Sequence, residues 1–402
     1  MKHLFLFAFL VFFANAFSQE HDEAYKRAFQ LVNQGDFVEA GHVFESIYTK
    51  DPSQLAAIKE HSNICFDLKE FEKAVILYQM ITEAEPNFYP AFYNLGNTLN
   101  EIGEDSLAVI SYTRALDIAG FKSDVLFNRA YSYQILNKHS LAINDYYQIL
   151  AVFPDNIDVH YGIATSFEII GDTRGAIEHY TAILKNDSTQ VDALYYRALL
   201  DSSYLYSTTQ KFTALLQSKF SNSDIHFYRA ALYYEMHEID KAINDLNTIL
   251  HYDPDNIEHL YIRASLHEEN QDTLSALADF NKLLDLDPTD NNALFYRAQA
   301  NVALGNVIEG FRDFTSIIIA KPDDTDAYFG RADALVRMKR YNDAISDYEK
   351  IISLKPNNLE AQYEIGVVYS QMKKMKKACK IWKKVSAEGF EPANDVVVTW
   401  CD

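Results

Sequence analysis

Apolar residues recur along this chain at helical spacing, in short runs that come in pairs. Between Ala327 and Pro356 the first run places Tyr328, Ala332 and Leu335 at i, i+4 and i+7, and the second places Ala344, Tyr348, Ile351 and Ile352 on one face. Lys339–Arg340 reads as the turn between two short amphipathic helices, and Pro356 ends the second because proline cannot continue a helix. Such a hairpin is too small to bury its apolar faces alone, so it needs copies of itself on either side.

The copies are present. Pro52, Pro86, Pro154, Pro254, Pro288, Pro322 and Pro356 fall on a 34-residue ladder, with one step of 100 residues that marks a shortened hairpin. In that register hairpins begin near residues 21, 55, 89, 123, 157, 191, 223, 257, 291, 325 and 359. Counted from each start, position 8 is small (Ala28, Gly96, Ala130, Ala332, Gly366 among others) and so is position 20 (Ala40, Ala74, Ala242, Gly310, Ala344). Position 24 is large and usually aromatic (Phe44, Tyr78, Tyr112, Tyr146, Tyr180, Phe280, Phe314, Tyr348, Trp382). Small residues let two helices approach closely, and the ring fills the gap between neighbouring hairpins. The sixth hairpin departs from the pattern: residues 201–222 lack the position-20 alanine and the proline. Two helices are still expected there, with an irregular turn near Ser207–Gln210.

This 34-residue pattern resembles the tetratricopeptide repeat family. The small residues at 8 and 20, the aromatic at 24, the proline at 32 and the turns Gly35-Asp36 and Gly171-Asp172 carry the resemblance, which covers residues 19–392. It implies an all-α, right-handed superhelical solenoid of about eleven helix-turn-helix repeats. It also implies a non-enzymatic protein-interaction scaffold that takes a partner segment in a concave groove lined by the first helices. Residues 393–402 are expected to cap the last hairpin, with Trp400 and the Val396–Val398 run as the cap's apolar side.

The repeats also serve as their own alignment. Position 7 is Arg27, Arg129, Arg197, Arg229, Arg263, Arg297 and Arg331; position 23 is Asp145, Asp245, Asp279, Asp313 and Asp347. Every such aspartate lies in a hairpin that carries the arginine, whereas pairing with the next hairpin fails at Ile163 and Ile365. The expectation is an ion pair inside each hairpin: Arg129–Asp145, Arg229–Asp245, Arg263–Asp279, Arg297–Asp313 and Arg331–Asp347. Positions 2, 5, 9 and 12 share one face of the first helix. Position 5 is aromatic in ten hairpins, with Tyr93, Phe127, Tyr161, Tyr195, Phe227, Tyr261, Phe295 and Phe329 as candidate partner-binding residues and Tyr25 and Tyr363 at the ends. Position 2 is acidic in eight: Asp22, Asp124, Asp158, Asp192, Asp224, Glu258, Asp326 and Glu360. Two readings stand open. One is a groove with an aromatic floor and an acidic edge, suited to a basic or aromatic-rich partner; the other is plain packing plus acids that answer the helix dipole.

Composition narrows the classes. With 57 Asp and Glu against 36 Lys and Arg, the net charge of −21 disfavours nucleic acid and anionic membranes as main partners. The exception is a basic stretch, Lys373, Lys374, Lys376, Lys377, Lys380, Lys383 and Lys384, readable as an acidic partner's dock or as a solvated end. Lys2, the apolar run Leu4–Phe13 and Ala14-Asn15-Ala16 read as a signal peptide over residues 1–18, cleaved after Ala16 or Ser18. The expected location is therefore outside the cytoplasm: periplasm, envelope or secreted, with no membrane span after signal removal. Export permits a disulfide; Cys379 and Cys401 either staple the tail to the final hairpin or stay free, and Cys65 reads as a small core residue. No Walker loop, G-x-S-x-G elbow or H-E-x-x-H helix occurs, so no catalytic, metal or cofactor residues are assigned and no cofactor is expected. The alternative function class is an envelope glycan or cell-wall binder that uses the aromatic groove.

Overall fold

The computed structural model describes residues 22–218 and 223–401. The expected signal peptide lies outside the described residues. All regular structure among them is helical, and it falls into two compact blocks, one ending at Tyr204 and one starting at Leu205.

The first block stacks five hairpins: α1 (22–34) with α2 (Phe37–Lys50), α3 (Leu55–Asp67) with α4 (Phe71–Ala84), α5 (Tyr89–Glu101) with α6 (Asp105–Ala119), α7 (Ser123–Ile135) with α8 (His139–Leu150), and α9 (Ile157–Ile169) with α10 (Thr173–Asn186). It ends with α11 (Val191–Leu200) and a 3-10 turn at Ser202–Tyr204. The second block begins with α12 (Leu205–Gln217). It then stacks α13 (Ser223–Glu235) with α14 (Ile239–Tyr252), α15 (Ile257–Glu269) with α16 (Thr273–Leu286), α17 (Asn291–Ala303) with α18 (Val307–Ala320), α19 (Thr325–Arg337) with α20 (Tyr341–Leu354), and α21 (Leu359–Gln371) with α22 (Met375–Ala387). α23 (Glu391–Trp400) follows. Inside each block every helix packs on the one before it and the one after it.

The contact points are those of the repeat register. The position-8 and position-20 alanines are buried, Ala28, Ala40, Ala332 and Ala344 among them at 0 % exposure. The position-24 rings are the largest buried side chains: Phe44, Tyr112, Tyr146, Tyr180, Phe280 and Phe314. Each such ring lies under the next first helix. At Gly330 an added Cβ would overlap the Phe314 ring, which is why a glycine stands there.

Helix ends follow a second rule. First helices in five hairpins are capped by the residue two after the ladder proline: the side chains of Asn156, Asn256, Asp290, Asp324 and Asn358 each accept a backbone N–H of the first turn. The hairpin turn is made at position 15, where the backbone enters the left-handed region: Gly35, Lys69, Gly103, Asn137, Gly171, His237, Gln271, Gly305, Lys339 and Lys373 all have φ between 56° and 87°.

Two expectations are corrected. The irregular turn of the sixth hairpin is not at Ser207–Gln210, which lie inside α12; it is at Asp201–Tyr204. The Asp201 carboxylate accepts the Ser203 N–H at 2.9 Å there, a local turn that competes with the helix and ends α11 after ten residues. The tail is a helix that packs on α22, but the apolar side expected of it does not face inward as a whole. Ala393 is its buried residue, while Val398 and Trp400 are 73 % and 67 % exposed.

Candidate binding face

The position-5 rings are neither fully buried nor free. All of them are half-buried, and most meet the position-24 ring of their own hairpin edge-on or tilted. Ring centroids lie 6.1 Å apart for Tyr93–Tyr112, 5.6 Å for Phe127–Tyr146, 6.0 Å for Tyr161–Tyr180, 5.7 Å for Phe295–Phe314 and 5.6 Å for Phe329–Tyr348. The deep ring thus supports the shallow one, a geometry that fixes the shallow ring without hiding it. At Tyr93, Tyr161 and Tyr261 the hydroxyl reaches the next first helix or its cap. Tyr161 Oη accepts the Ala193 N–H at 3.0 Å, and Tyr261 Oη donates to the capping carboxylate of Asp290 at 2.6 Å. Burial, then Asp192, pushes the Tyr161 hydroxyl up to about 12, so it stays a neutral donor and acceptor. Phe227 instead packs on His259 of the following hairpin at 5.3 Å, and Tyr195 lies against Tyr196 at 5.2 Å. Packing therefore accounts for part of each ring, and all of them keep some solvent exposure.

The position-2 acids Asp22, Asp124, Asp158, Asp192, Asp224, Glu258, Asp326 and Glu360 are all exposed in the first turn of their helices. They do not provide the caps, which come from the Asn and Asp residues named above.

Cavities open between consecutive first helices. In the first block Asn63, Phe66, Asp67, Tyr78, Asn94 and Asn97 line one of about 180 Å³. In the second block α13 and α15 enclose about 340 Å³ among Phe227, Tyr234, Leu246, Ile262, Leu266 and Glu269. A third of about 460 Å³ lies against α17, α19 and α21, with Phe314, Phe329 and Tyr348 in its wall and Asp333, Glu360 and Glu364 at its edge. Positions 6, 9 and 13 line these cavities as much as positions 2 and 5 do. Position 9 is the i+4 neighbour of position 5, and position 13 that of position 9, so both were legible on the same helix face; position 6, one residue past position 5, was not.

The arginine–aspartate pairs form inside single hairpins and are bidentate. Arg129 Nε and Nη2 bond the two oxygens of Asp145 at 2.7 and 2.8 Å, and Arg229–Asp245, Arg263–Asp279, Arg297–Asp313 and Arg331–Asp347 repeat the geometry at 2.6–3.0 Å. Four of these arginines spend a third donor on the preceding hairpin: Arg129 on Thr113, Arg229 on Thr213, Arg263 on Asn247 and Arg297 on Asn281. One guanidinium therefore ties three helices together, and the position-25 acceptor is a residue the repeat comparison missed. The Asp347 hydrogen bonds hold the Arg331 guanidinium above its ordinary value despite burial. Arg197, whose hairpin has no such aspartate, lies over the Tyr204 ring at 4.1 Å instead. Arg27 meets Glu39 at the surface.

At the C-terminal end Cys379 and Cys401 form a disulfide that pins the end of α23 to α22. Lys376, Lys377, Lys380, Lys383 and Lys384 share the exposed arc of α22, opposite Ala378, Trp382 and Val385, which are buried. Cys65 is buried. Among the described residues no helix is long and apolar enough to cross a membrane.

Models of the tetratricopeptide repeat match residues 229–291, 325–358 and 360–388, in step with the hairpin starts at 257, 325 and 359. The chain is a tetratricopeptide-repeat protein. This assignment rests on the repeat models and on the 34-residue register that the hairpins keep. Several solved structures are similar to parts of this chain. A tetratricopeptide repeat protein from Parabacteroides merdae is 25% identical over 61% of this chain and 99% of its own, with a TM-score of 0.42. MamA is 24% identical over 41% of this chain and 96% of its own, with a TM-score of 0.38. YrrB, described as having an unusual peptide-binding site, is 17% identical over 47% of this chain and 98% of its own, also at 0.38. No curated protein matches the chain.

Proposed function

We propose that this tetratricopeptide-repeat protein is a non-enzymatic scaffold of the cell envelope that binds a protein segment along its first helices. The observation that carries the reading is the placement of the position-5 rings. Most are braced from behind by a buried ring of their own hairpin, and cavities open beside Phe227 and Phe329. Rigid, half-exposed aromatic side chains next to apolar cavities give contact area at low entropic cost, which is what a partner segment needs. The envelope location is supported by the apolar N-terminal run with its A-x-A pattern and by the Cys379–Cys401 disulfide, which persists in oxidising compartments.

Affinity capture from an envelope fraction tests both parts. Wild-type chain should retain a protein partner, and Tyr234→Ala with Phe329→Ala should retain at least about tenfold less, as loss of two aromatic anchors implies. Retention on peptidoglycan or polysaccharide with no protein partner would overturn the scaffold reading in favour of a glycan binder. Recovery of the native chain from the cytosol with Cys379 and Cys401 reduced would overturn the location.

A further inference from the structure

The cavity against α17, α19 and α21 differs from the other in its block by its charge. Its wall is apolar: Phe314, Phe329, Tyr348, Val302 and the Cα of Gly330. Three carboxylates stand at its edge, Asp333, Glu360 and Glu364, and one cation, Arg337. Arg337 is already engaged. Its Nε donates to Asp333 at 3.0 Å and its Nη1 to the Val302 carbonyl at 3.4 Å. That leaves Glu360 and Glu364, neither of which is ion-paired among the described residues. Burial, then the charges of Glu360 and Asp333, raise the Glu364 carboxyl above its ordinary range. The cavity between α13 and α15 has the opposite character: Phe227, Tyr234, Leu246 and Leu266 surround it, with Glu269 as its single charged lining residue.

We propose that the cavity against α17, α19 and α21 anchors a lysine or arginine of the partner segment, with an apolar or aromatic residue of the same segment against Phe329. This rests on the groove reading above and specifies its chemistry. A lysine or arginine stem lies well on an aromatic wall while its head reaches water or an anion. Here the head meets Glu360 and Glu364, and an arriving cation offsets the repulsion those carboxylates feel from each other and from Asp333. An acidic segment meets the same carboxylates as like charges, so the cavity also selects against one class of partner.

Selection of random displayed peptides on the full-length chain tests this. Bound peptides should be enriched in lysine and arginine over the library, and their affinity should fall by about tenfold or more for the Glu360→Gln, Glu364→Gln double variant and fall with added salt. Circular dichroism and a thermal melt confirm that the variant is folded. An Ala231→Arg variant, which fills the α13–α15 cavity, separates the two claims. Peptides that Ala231→Arg blocks but that carry no basic enrichment and ignore Glu360→Gln, Glu364→Gln overturn the cation anchor and leave the groove. No selected peptide, or binding that ignores all three substitutions, overturns both.

Discussion

The two blocks of this tetratricopeptide-repeat protein hold the same hairpin shut by different chemistry. In the first block the position-24 residue is a tyrosine in four successive hairpins, and its hydroxyl is latched to the first helix. Tyr78 donates to Asn63, Tyr112 to Asn97, Tyr146 to Gln134 and Tyr180 to Glu168. In the second block position 24 carries no hydroxyl at Leu246, Phe280 and Phe314, and bidentate arginine–aspartate pairs close the four hairpins from α13 to α20. Where the deep ring lacks a latch, the pair next to it in sequence takes over. The hairpin starting at 123 has both, Tyr146 on Gln134 and Arg129 on Asp145, so one fastening does not forbid the other. The lesson is that helix approach is set by the small residues, while the polar fastening is interchangeable.

The largest test of that comparison removes one partner of a buried pair. Asp279 is 5 % exposed at its side chain, and Asp279→Ala leaves Arg263 without its anion, a loss of about 3–5 kcal/mol. The exposed counterpart in the first block, Arg27–Glu39, should matter by less than about 1 kcal/mol when Glu39 becomes alanine. Replacing both Arg263 and Asp279 by apolar residues of similar size should restore most of the loss. Chemical denaturation of the variants measures all three. Equal costs for Asp279→Ala and Glu39→Ala would break the distinction between fastening and decoration.

Acid should act first on the first block. His160 and His179 touch through Nδ1 at 2.8 Å. His160 Nε2 faces the Pro154 carbonyl, which only accepts, so His160 Nδ1 must accept from His179 Nδ1–H; Tyr147 Oη then donates to His179 Nε2. Every site is used with both rings neutral. Burial, then His160, holds His179 down at about 4, and burial, then Lys73, holds His61 at about 4. In the unfolded chain these groups titrate near 6.5, so between pH 6.5 and 4 unfolding takes up protons and stability falls with pH, levelling off below about 4. Allowing for solvent at the partly exposed rings, the loss is about 1–2 kcal/mol each. Hydrogen exchange over this window should show α3, α9 and α10 opening first, and His179→Gln should remove part of the drop. Protection in these helices that is flat across the window would refute the neutral network.

Much of the architecture could be read before any coordinate. The register of Pro254, Pro288, Pro322 and Pro356, the alanines at positions 8 and 20 and the Arg–Asp pattern fix which helices touch, because each repeats often enough to test itself. The tyrosine latches were not legible. Asn63 and Asn97 sit at position 9, but Gln134 and Glu168 sit at position 12, so the acceptor wanders along the helix while the hydroxyl stays put. Position 25 was missed for a similar reason: threonine and asparagine both accept one N–H, and the pattern has no single residue type. The Asp201–Tyr204 turn was misplaced because a local carboxylate-to-backbone bond, not apolar periodicity, decides it. Of the binding face, the rings at position 5, the acids at position 2 and the position-9 face that holds Asp333 were visible, whereas Glu364, at position 6, depends on how successive first helices converge.

Hydroxyl removal comes next in size. Tyr112→Phe takes a donor from Asn97 and an acceptor from Asn100, whose partners Asn128 and Ser132 belong to the following hairpin. The expected cost is about 1–2 kcal/mol, the price of a broken buried network. Tyr348→Phe in the second block should cost little, since Asp347 and Arg331 already fasten that hairpin and Phe280 and Phe314 do the same job without a hydroxyl. Melting temperatures of the two variants decide it; similar shifts would mean that the latch is incidental to the hairpin.

The smallest effect concerns the hairpin turns, where the blocks differ again. Of the left-handed position-15 residues, Gly35, Gly103 and Gly171 in the first block are glycine, against Gly305 alone in the second. His237, Gln271, Lys339 and Lys373 hold φ near 60° at a cost that glycine does not bear. Lys339→Gly should therefore stabilise, but by less than the full steric penalty, because glycine also gains freedom in the unfolded chain. The net is about 0.5–1 kcal/mol in favour of the variant. Gly305→Ala, the reverse change at φ 87°, should destabilise by about 1 kcal/mol. Nothing packs within 4 Å of a Cβ built at Gly305, so the loss would report backbone conformation alone. If Lys339→Gly instead lowers stability, the lysine stem is holding the turn by contact with its neighbours, and the second block's scarcity of glycine reflects packing rather than tolerated strain.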